Sequence, residues 1–250
     1  MNGNPRAALE EARQRAAAVA ESIAYQRFVA AVREQSPWRF QNVPPEILER
    51  DYLRVVDHHI RHLIPLLREY VTPATRKILD FGCGSGGSAI ALAMVYPGVR
   101  CWGTDIDAGE ILVARERANL YGVAGRCEFH HVPENQPLPY ADGFFDFSLC
   151  SSVLEYAVDP GAREFCVHEI VRLTAPDALL FFSVPNRLYP YEVHTGKWGW
   201  NYFPKWTVAK IVDSSFWEVC RLARPADLKL YRTPLSRLFR PWSNFCVQKL

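Results

Sequence analysis

The sequence predicts an α/β fold: a doubly wound, mostly parallel sheet with helices on both faces, preceded by a helical cap. Three observations carry this expectation. From Arg76 onward, short apolar runs alternate with helical segments, the pattern of strands buried on both faces. A glycine-rich turn joins the first of those strands to its helix. Ahead of Arg76 there are helical patterns and proline-rich breaks but no strand, so the boundary is set at a cap over 1–75 and a sheet domain over 76–250.

Taken in order, residues 6 to about 34 are rich in Ala, Arg and Glu and read as one amphipathic helix. Pro37, Pro44 and Pro45 interrupt it, and Pro45 suits the first turn of a second helix from Glu46 to about Tyr70. KILDF is a buried strand, SAIALAMVY a helix and VRCWGTD a strand. AGEILVARERANLYG is a helix, with Asp107 as its better cap and Gly122 at its C′ position. RCEFHHV and FFDFSLC are strands, GAREFCVHEIVRLTA a helix and DALLFFSVPN a strand. In the tail, TVAKIVDSSFW reads as a helix, and EVCRLAR and FCVQKL as strands at the sheet edge.

Composition narrows the function. The 250 residues are 49% hydrophobic, enough for a large core. Lys plus Arg number 29 against 27 for Asp plus Glu, which argues against a nucleic-acid or membrane-surface binder as a whole. No apolar run approaches the roughly 18 residues of a membrane helix, so no membrane span is expected. The polar N-terminus with Glu10, Glu11 and Glu21 resembles neither a signal nor a transit peptide. The seven cysteines contain no Cys-x-x-Cys pair, so neither a disulfide framework nor a zinc site is expected, and a reducing, cytoplasmic setting follows. His58 and His62 have the i, i+4 spacing of a metal pair, yet no acid or Cys partner is fixed beside them. No metal is expected.

The chemistry lies in Asp80-Phe81-Gly82-Cys83-Gly84-Ser85-Gly86-Gly87. Such a turn lets a ligand approach the backbone closely. Glycines 82, 84 and 87 also satisfy a loose dinucleotide fingerprint, with Asp105 lying 18 residues beyond Gly87. Asp80 separates the two readings, because a carboxylate disfavours a pyrophosphate and suits a cationic ligand.

ILDFGCGSGG, WGTDID, HHVPENQPLPYADGFFDFSLCSSVLEY and EIVRLTAPDALLFFSVPN, in this order, resemble the successive motifs of the class I S-adenosylmethionine-dependent methyltransferases. The resemblance covers about residues 76–186 and implies a seven-stranded, Rossmann-like sheet. It implies S-adenosylmethionine as cofactor and S-adenosylhomocysteine as product. Asp80, Gly82, Cys83, Gly84 and Gly86 would cradle the methionine part; Asp105 would take the ribose hydroxyls and Ile106 pack on adenine. Glu134, with Asn135, would lie near adenine, and Ser151 would complete the set. Glu134 departs from the family's usual Asp, and TAPDALL from its Lys-Pro-Gly-Gly turn.

The acceptor is expected beyond the carboxyl ends of the strands: at Cys150-Ser151-Ser152 with Glu155-Tyr156, and after Pro185-Asn186. RLYPYEVHTGKWGWNYFPKW gathers aromatic side chains around Glu192 and His194. It reads equally as a ligand wall and as a satellite hydrophobic cluster. His194 is the best candidate general base, since its ordinary pKa lies near working pH, with Glu192 to orient it and Tyr156 as a further candidate.

The expected function is methyl transfer to an O, N or C nucleophile of a small organic molecule, and a homodimer is compatible with it. CSSVLEY in place of an Asn-Pro-Pro-Tyr-type motif argues against nucleic-acid methylation. Residues 221–250 hold seven basic side chains against Asp227, which leaves a local anionic partner open. Two rivals remain: a nicotinamide-dependent oxidoreductase using the same loop, and a noncatalytic interaction protein on the same fold.

Overall fold

The computed structural model describes residues 7, 10, 23–35, 55–157, 159–186, 189–192, 197–199, 221, 228–232 and 241–250. They fall into two compact units, Met1–Pro133 and Glu134–Leu250.

In the first unit, α1 (Ile23–Gln35) buries Phe28 and Val32, one turn apart. Residues 55–62 are helical, and α2 (Ile64–Leu67) follows after a break at Leu63. The expected continuous helix to Tyr70 is therefore divided. Pro65 has no N–H to give and its ring crowds the preceding turn. Next come β1 (Lys77–Phe81), α3 (Gly87–Val95), β2 (Arg100–Asp105), α4 (Ala108–Leu120) and β3 (Cys127–His131). The three strands pair in parallel, with Asp80 opposite Gly103 and Cys101 opposite Cys127. Asp107 caps α4 by accepting from Gly109 N at 2.8 Å and Glu110 N at 3.2 Å, and Gly122 follows at φ 66°. α1 packs on α4.

The second unit holds β4 (Phe145–Ser151), α5 (Pro160–Leu173) and β5 (Thr174–Pro185). Asp159 caps α5 by accepting from Ala162 N at 3.0 Å, with Pro160 in its first turn. α5 ends two residues earlier than its sequence pattern suggests. Thr174 already belongs to β5, and its hydroxyl donates back to Ile170 O at 2.7 Å, closing the helix. A small hairpin, β6 (Tyr191–Glu192) against β7 (Lys197–Trp198), comes next.

The tail differs from expectation. β9 (Trp242–Lys249) takes in all of FCVQKL but its last residue and is not at the edge: it lies antiparallel between β5 and β8 (Leu228–Leu230). β8 is a three-residue strand, too short to stand out from the basic tail. Arg221, the described residue of EVCRLAR, is helical rather than extended, and TVAKIVDSSFW lies outside the described residues. The strand order is β3-β2-β1-β4-β5-β9-β8, a mixed seven-stranded sheet. Among the described residues no helix is long and apolar enough to cross a membrane.

One polar cluster organises the second unit. Glu169 on α5 is 5% exposed and accepts from Leu138 N at 2.7 Å and from two nitrogens of Arg172 at 2.6 and 2.8 Å. Arg172 also donates to Asp142 at 2.6 Å and Tyr140 O at 3.0 Å, fastening the loop before β4 onto α5. Arg172→Ala leaves Glu169 buried beside fewer donors. It is expected to lower the unfolding free energy by about 2 kcal/mol, the scale of charge-assisted hydrogen bonds. An unchanged urea midpoint would contradict this role.

Candidate functional site

The glycine turn is built by the parallel pairing of β1 and β2. With Phe81 opposite Thr104, the amides of Gly82 and Cys83 both donate to Thr104 O, at 2.8 and 2.9 Å. The chain then turns through Gly82, Gly84 and Gly86 at φ 71°, 50° and 78°, left-handed conformations costly for other residues. The last two glycines have different jobs. A Cβ on Gly86 would lie 2.9 Å from Ala114 and Phe129, so this position is small because α4 and β3 pack on it. A Cβ on Gly84 would meet nothing within 4 Å. Gly84 offers bare backbone beside open space, where a ligand can lie against it.

Asp105 ends β2 and is held at both oxygens. Its Oδ2 accepts from Gly84 N at 2.8 Å and its Oδ1 from Asp107 N at 2.9 Å. Each carboxylate oxygen keeps a further lone pair for outside hydroxyl donors. Since Asp107 is the helix cap, Asp105 is spared that duty. Ile106 stands beside it at 62% exposure, an apolar side chain turned to solvent.

Asp80 is 2% exposed and faces inward. Its Oδ2 accepts from the Ser88 hydroxyl and from Ala89 N at 3.1 Å, anchoring the first turn of α3. Burial pushes its carboxyl up to about 7, against the pull of those two donors. Cys83 is buried in the loop, and its thiol donates to Gly84 O at 3.4 Å. Burial, with Asp80 and Asp105 nearby, drives its pKa well above the ordinary thiol value.

One contributor to this loop was not found from the sequence. Arg117 on α4 is 0% exposed and donates through Nη1 to the carbonyl of Ser85 and, at 2.7 Å, to its hydroxyl. An arginine inside a charged helical pattern reads as a solvated face, so nothing marked it. Gly87, the last glycine of the motif and the first residue of α3, is small for a packing reason: a Cβ there would run into Val55 and lie 3.0 Å from His59. The His59 ring bonds Val55 O at 2.6 Å, and burial lowers its pKa to about 4, leaving it neutral.

In the second unit, Glu134 and Asn135 are exposed in the loop after β3, with Asn135 left-handed at φ 58°. Ser151 is the last residue of β4, and Ser152 after it is also left-handed, its amide donating to Ser183 O at 3.0 Å. Tyr156 is 68% exposed, whereas Glu155 beside it is 4% exposed. Neither carboxylate oxygen of Glu155 has a hydrogen-bond partner among the described residues. Glu192 lies in β6 opposite Lys197. His194 lies outside the described residues, as do Trp200, Tyr202, Phe203 and Trp206 of the aromatic stretch. Of the rest, the Trp198 ring meets Tyr191 at 5.6 Å and Tyr189 at 6.5 Å while 70% exposed. Among the described residues no three His, Cys, Asp or Glu side chains converge as metal ligands.

Residues 78–177 match the model of a family described as a methyltransferase domain. Norajmaline N-methyltransferase of Rauvolfia serpentina is 33% identical over 113 residues, covering 45% of this chain and 37% of that protein. Ubiquinone biosynthesis O-methyltransferase of Aromatoleum aromaticum is 27% identical over 161 residues, 63% of this chain and 62% of its own. A SAM-dependent methyltransferase from Aquifex aeolicus shares the fold, with a TM-score of 0.54 at 20% identity over 74% of this chain and 87% of that one. The chain thus spans less than two thirds of these two curated relatives. Residues 78–177 carry a methyltransferase domain, whose motif order resembles that of the class I S-adenosylmethionine-dependent methyltransferases and whose fold a SAM-dependent methyltransferase shares.

Proposed function

We propose that the protein transfers a methyl group from S-adenosylmethionine to an O, N or C nucleophile of a small organic molecule, releasing S-adenosylhomocysteine. The observation that carries this reading is Asp105. A carboxylate fixed by two backbone amides, with lone pairs left over, suits the paired hydroxyls of a ribose, and the bare backbone at Gly84 lies in the same turn. The curated relatives are named as N- and O-methyltransferases. Bound there, the cofactor supplies an electrophilic methyl group on a positively charged sulfur.

In this reading Gly82, Cys83, Gly84 and Gly86 receive the methionine part and Asp80 holds the turn from within. Ile106 packs on adenine, and Glu134, Asn135 and Ser151 are the further cofactor-binding residues that the motif resemblance implies. Tyr156, Glu192 and His194 form the acceptor side: His194 removes a proton where the nucleophile must lose one, Glu192 orients it, and the exposed ring of Tyr156 contacts the acceptor. Residues 1–75 serve as a helical cap on the 76–250 domain. A cytoplasmic enzyme that works without metal, acting on a metabolite and not on nucleic acid, alone or as a homodimer, fits the composition and motifs.

Two measurements test the reading. Incubation with S-adenosylmethionine and a metabolite extract should yield S-adenosylhomocysteine and a product heavier by one methylene; no product, with tighter binding of NAD than of S-adenosylhomocysteine, would overturn it. Asp105→Ala is expected to weaken S-adenosylhomocysteine binding by about 1–3 kcal/mol, the scale of lost charge-assisted hydrogen bonds. Unchanged affinity by calorimetry would remove Asp105 from the site.

Glu155 gives a pH prediction. Burial raises its carboxyl from an ordinary 4.5 to about 7. A folded-state pKa above the unfolded one means that the native protein binds more protons between the two values. The stability contribution is therefore complete below the unfolded pKa and is lost as pH rises through about 7. Asp80 acts in the same sense. Buried His59 acts in the opposite sense below its ordinary 6.5, so the comparison is made above that value: the ligand-free protein should melt at a lower temperature at about pH 8 than at about pH 6.5, and Glu155→Gln should flatten that fall. An equal fall in both proteins would show that Glu155 ionises freely.

A further inference from the structure

We infer that cofactor binding is coupled to the docking of α1 through Arg117, a positioning residue that grips the glycine turn on one side and the face of Phe28 on the other. The inference rests on the cofactor reading above and goes beyond it by making α1 part of what determines affinity.

Ser85 lies between two left-handed glycines, and Arg117 pins both its carbonyl and its hydroxyl. The turn is thus held at adjacent residues by opposite charges: Asp105 takes the Gly84 amide while Arg117 takes the Ser85 oxygens. These bonds hold the two flanking peptides, Cys83–Gly84 through its amide and Ser85–Gly86 through its carbonyl, and so constrain the backbone between them that a ligand would lie against.

A guanidinium at zero exposure needs compensation for lost water. Part of it comes from Phe28, whose ring lies 5.2 Å from the Arg117 guanidinium carbon, within the range of a cation–π contact. Phe28 is 1% exposed and, with Val32, makes up the fully buried stripe of α1. Among the described residues α1 packs on α4, and this buried pair is the core of that contact. When α1 is docked, Arg117 is shielded and turned onto Ser85. When it leaves, water reaches the guanidinium, competes with the Ser85 oxygens and loosens the turn. Linkage makes the effect reciprocal: what α1 docking adds to affinity, ligand binding adds to α1 docking.

The test uses the full chain and S-adenosylhomocysteine as probe. Phe28→Ala should raise the dissociation constant roughly tenfold, within the usual range of coupling between sites. In turnover it should raise the KM for S-adenosylmethionine while leaving kcat nearly unchanged. Phe28→Leu keeps most of the buried volume and deletes the ring face; it should show the same direction with the fold intact by circular dichroism. In the unaltered protein, added S-adenosylhomocysteine should slow hydrogen exchange across 23–35. In Arg117→Met that slowing should disappear, and Arg117→Lys, which can still reach Ser85, should restore part of it. If the unaltered protein does not bind S-adenosylhomocysteine, the cofactor reading falls and the coupling with it. If it binds, but both Phe28 variants bind equally well and exchange in 23–35 does not respond, the coupling alone is overturned.

Discussion

The carboxylate of Asp105 is fixed between two backbone amides, one in the turn after β1 and one at the cap of α4. Two strand-to-helix junctions are thereby tied to one side chain at the end of β2. The tie works only because β1 and β2 pair in parallel and because Thr104 O receives both amides that open the turn. The geometry of the candidate site follows from that register. The glycines need left-handed backbone because the chain must leave β1, pass the Asp105 carboxylate and enter α3 within a few residues.

The demands on the loop are shared among residues that never meet the same neighbour. Gly86 is small for α4 and β3 and Gly87 for residues 55–62, while Gly84 borders open space. Asp80 holds the turn from below through α3, while Arg117 holds it from α4. A motif that looks like a single phrase in the sequence is thus a meeting point of several packing interfaces within the first unit. Of Gly84, Gly86 and Gly87, Gly84 alone has open space where a side chain would stand.

What the sequence disclosed and what it hid divide along physical lines. The turn, the Asp107 cap and Gly122 were legible because each rests on local backbone chemistry: a positive φ, a side-chain oxygen near free amides, a helix end. The break at Pro65 was also local, but an amphipathic pattern running through it masked the missing N–H. The early end of α5 depends on Thr174 reaching back to Ile170, a choice between helix and strand that propensity leaves balanced. β8 is three residues long and owes its existence to pairing with β9. Arg117 and Glu155 were hidden for a different reason. Charged side chains default to solvent in any reading of a sequence, and only tertiary packing puts these two inside. Tyr156 and Glu155 are neighbours with opposite exposures, a distinction that motif order does not encode.

Cys83 has a chemical consequence in the proposed setting. A pocket for a sulfonium methyl donor stores an alkylating agent, and a thiol in its wall is a nucleophile within the same loop. Nucleophilicity belongs to the thiolate, and burial keeps the Cys83 sulfur protonated and directed at the Gly84 carbonyl. The same desolvation that packs the loop thus makes it inert towards its own reagent, a form of immunity from self-alkylation achieved without excluding sulfur from the site.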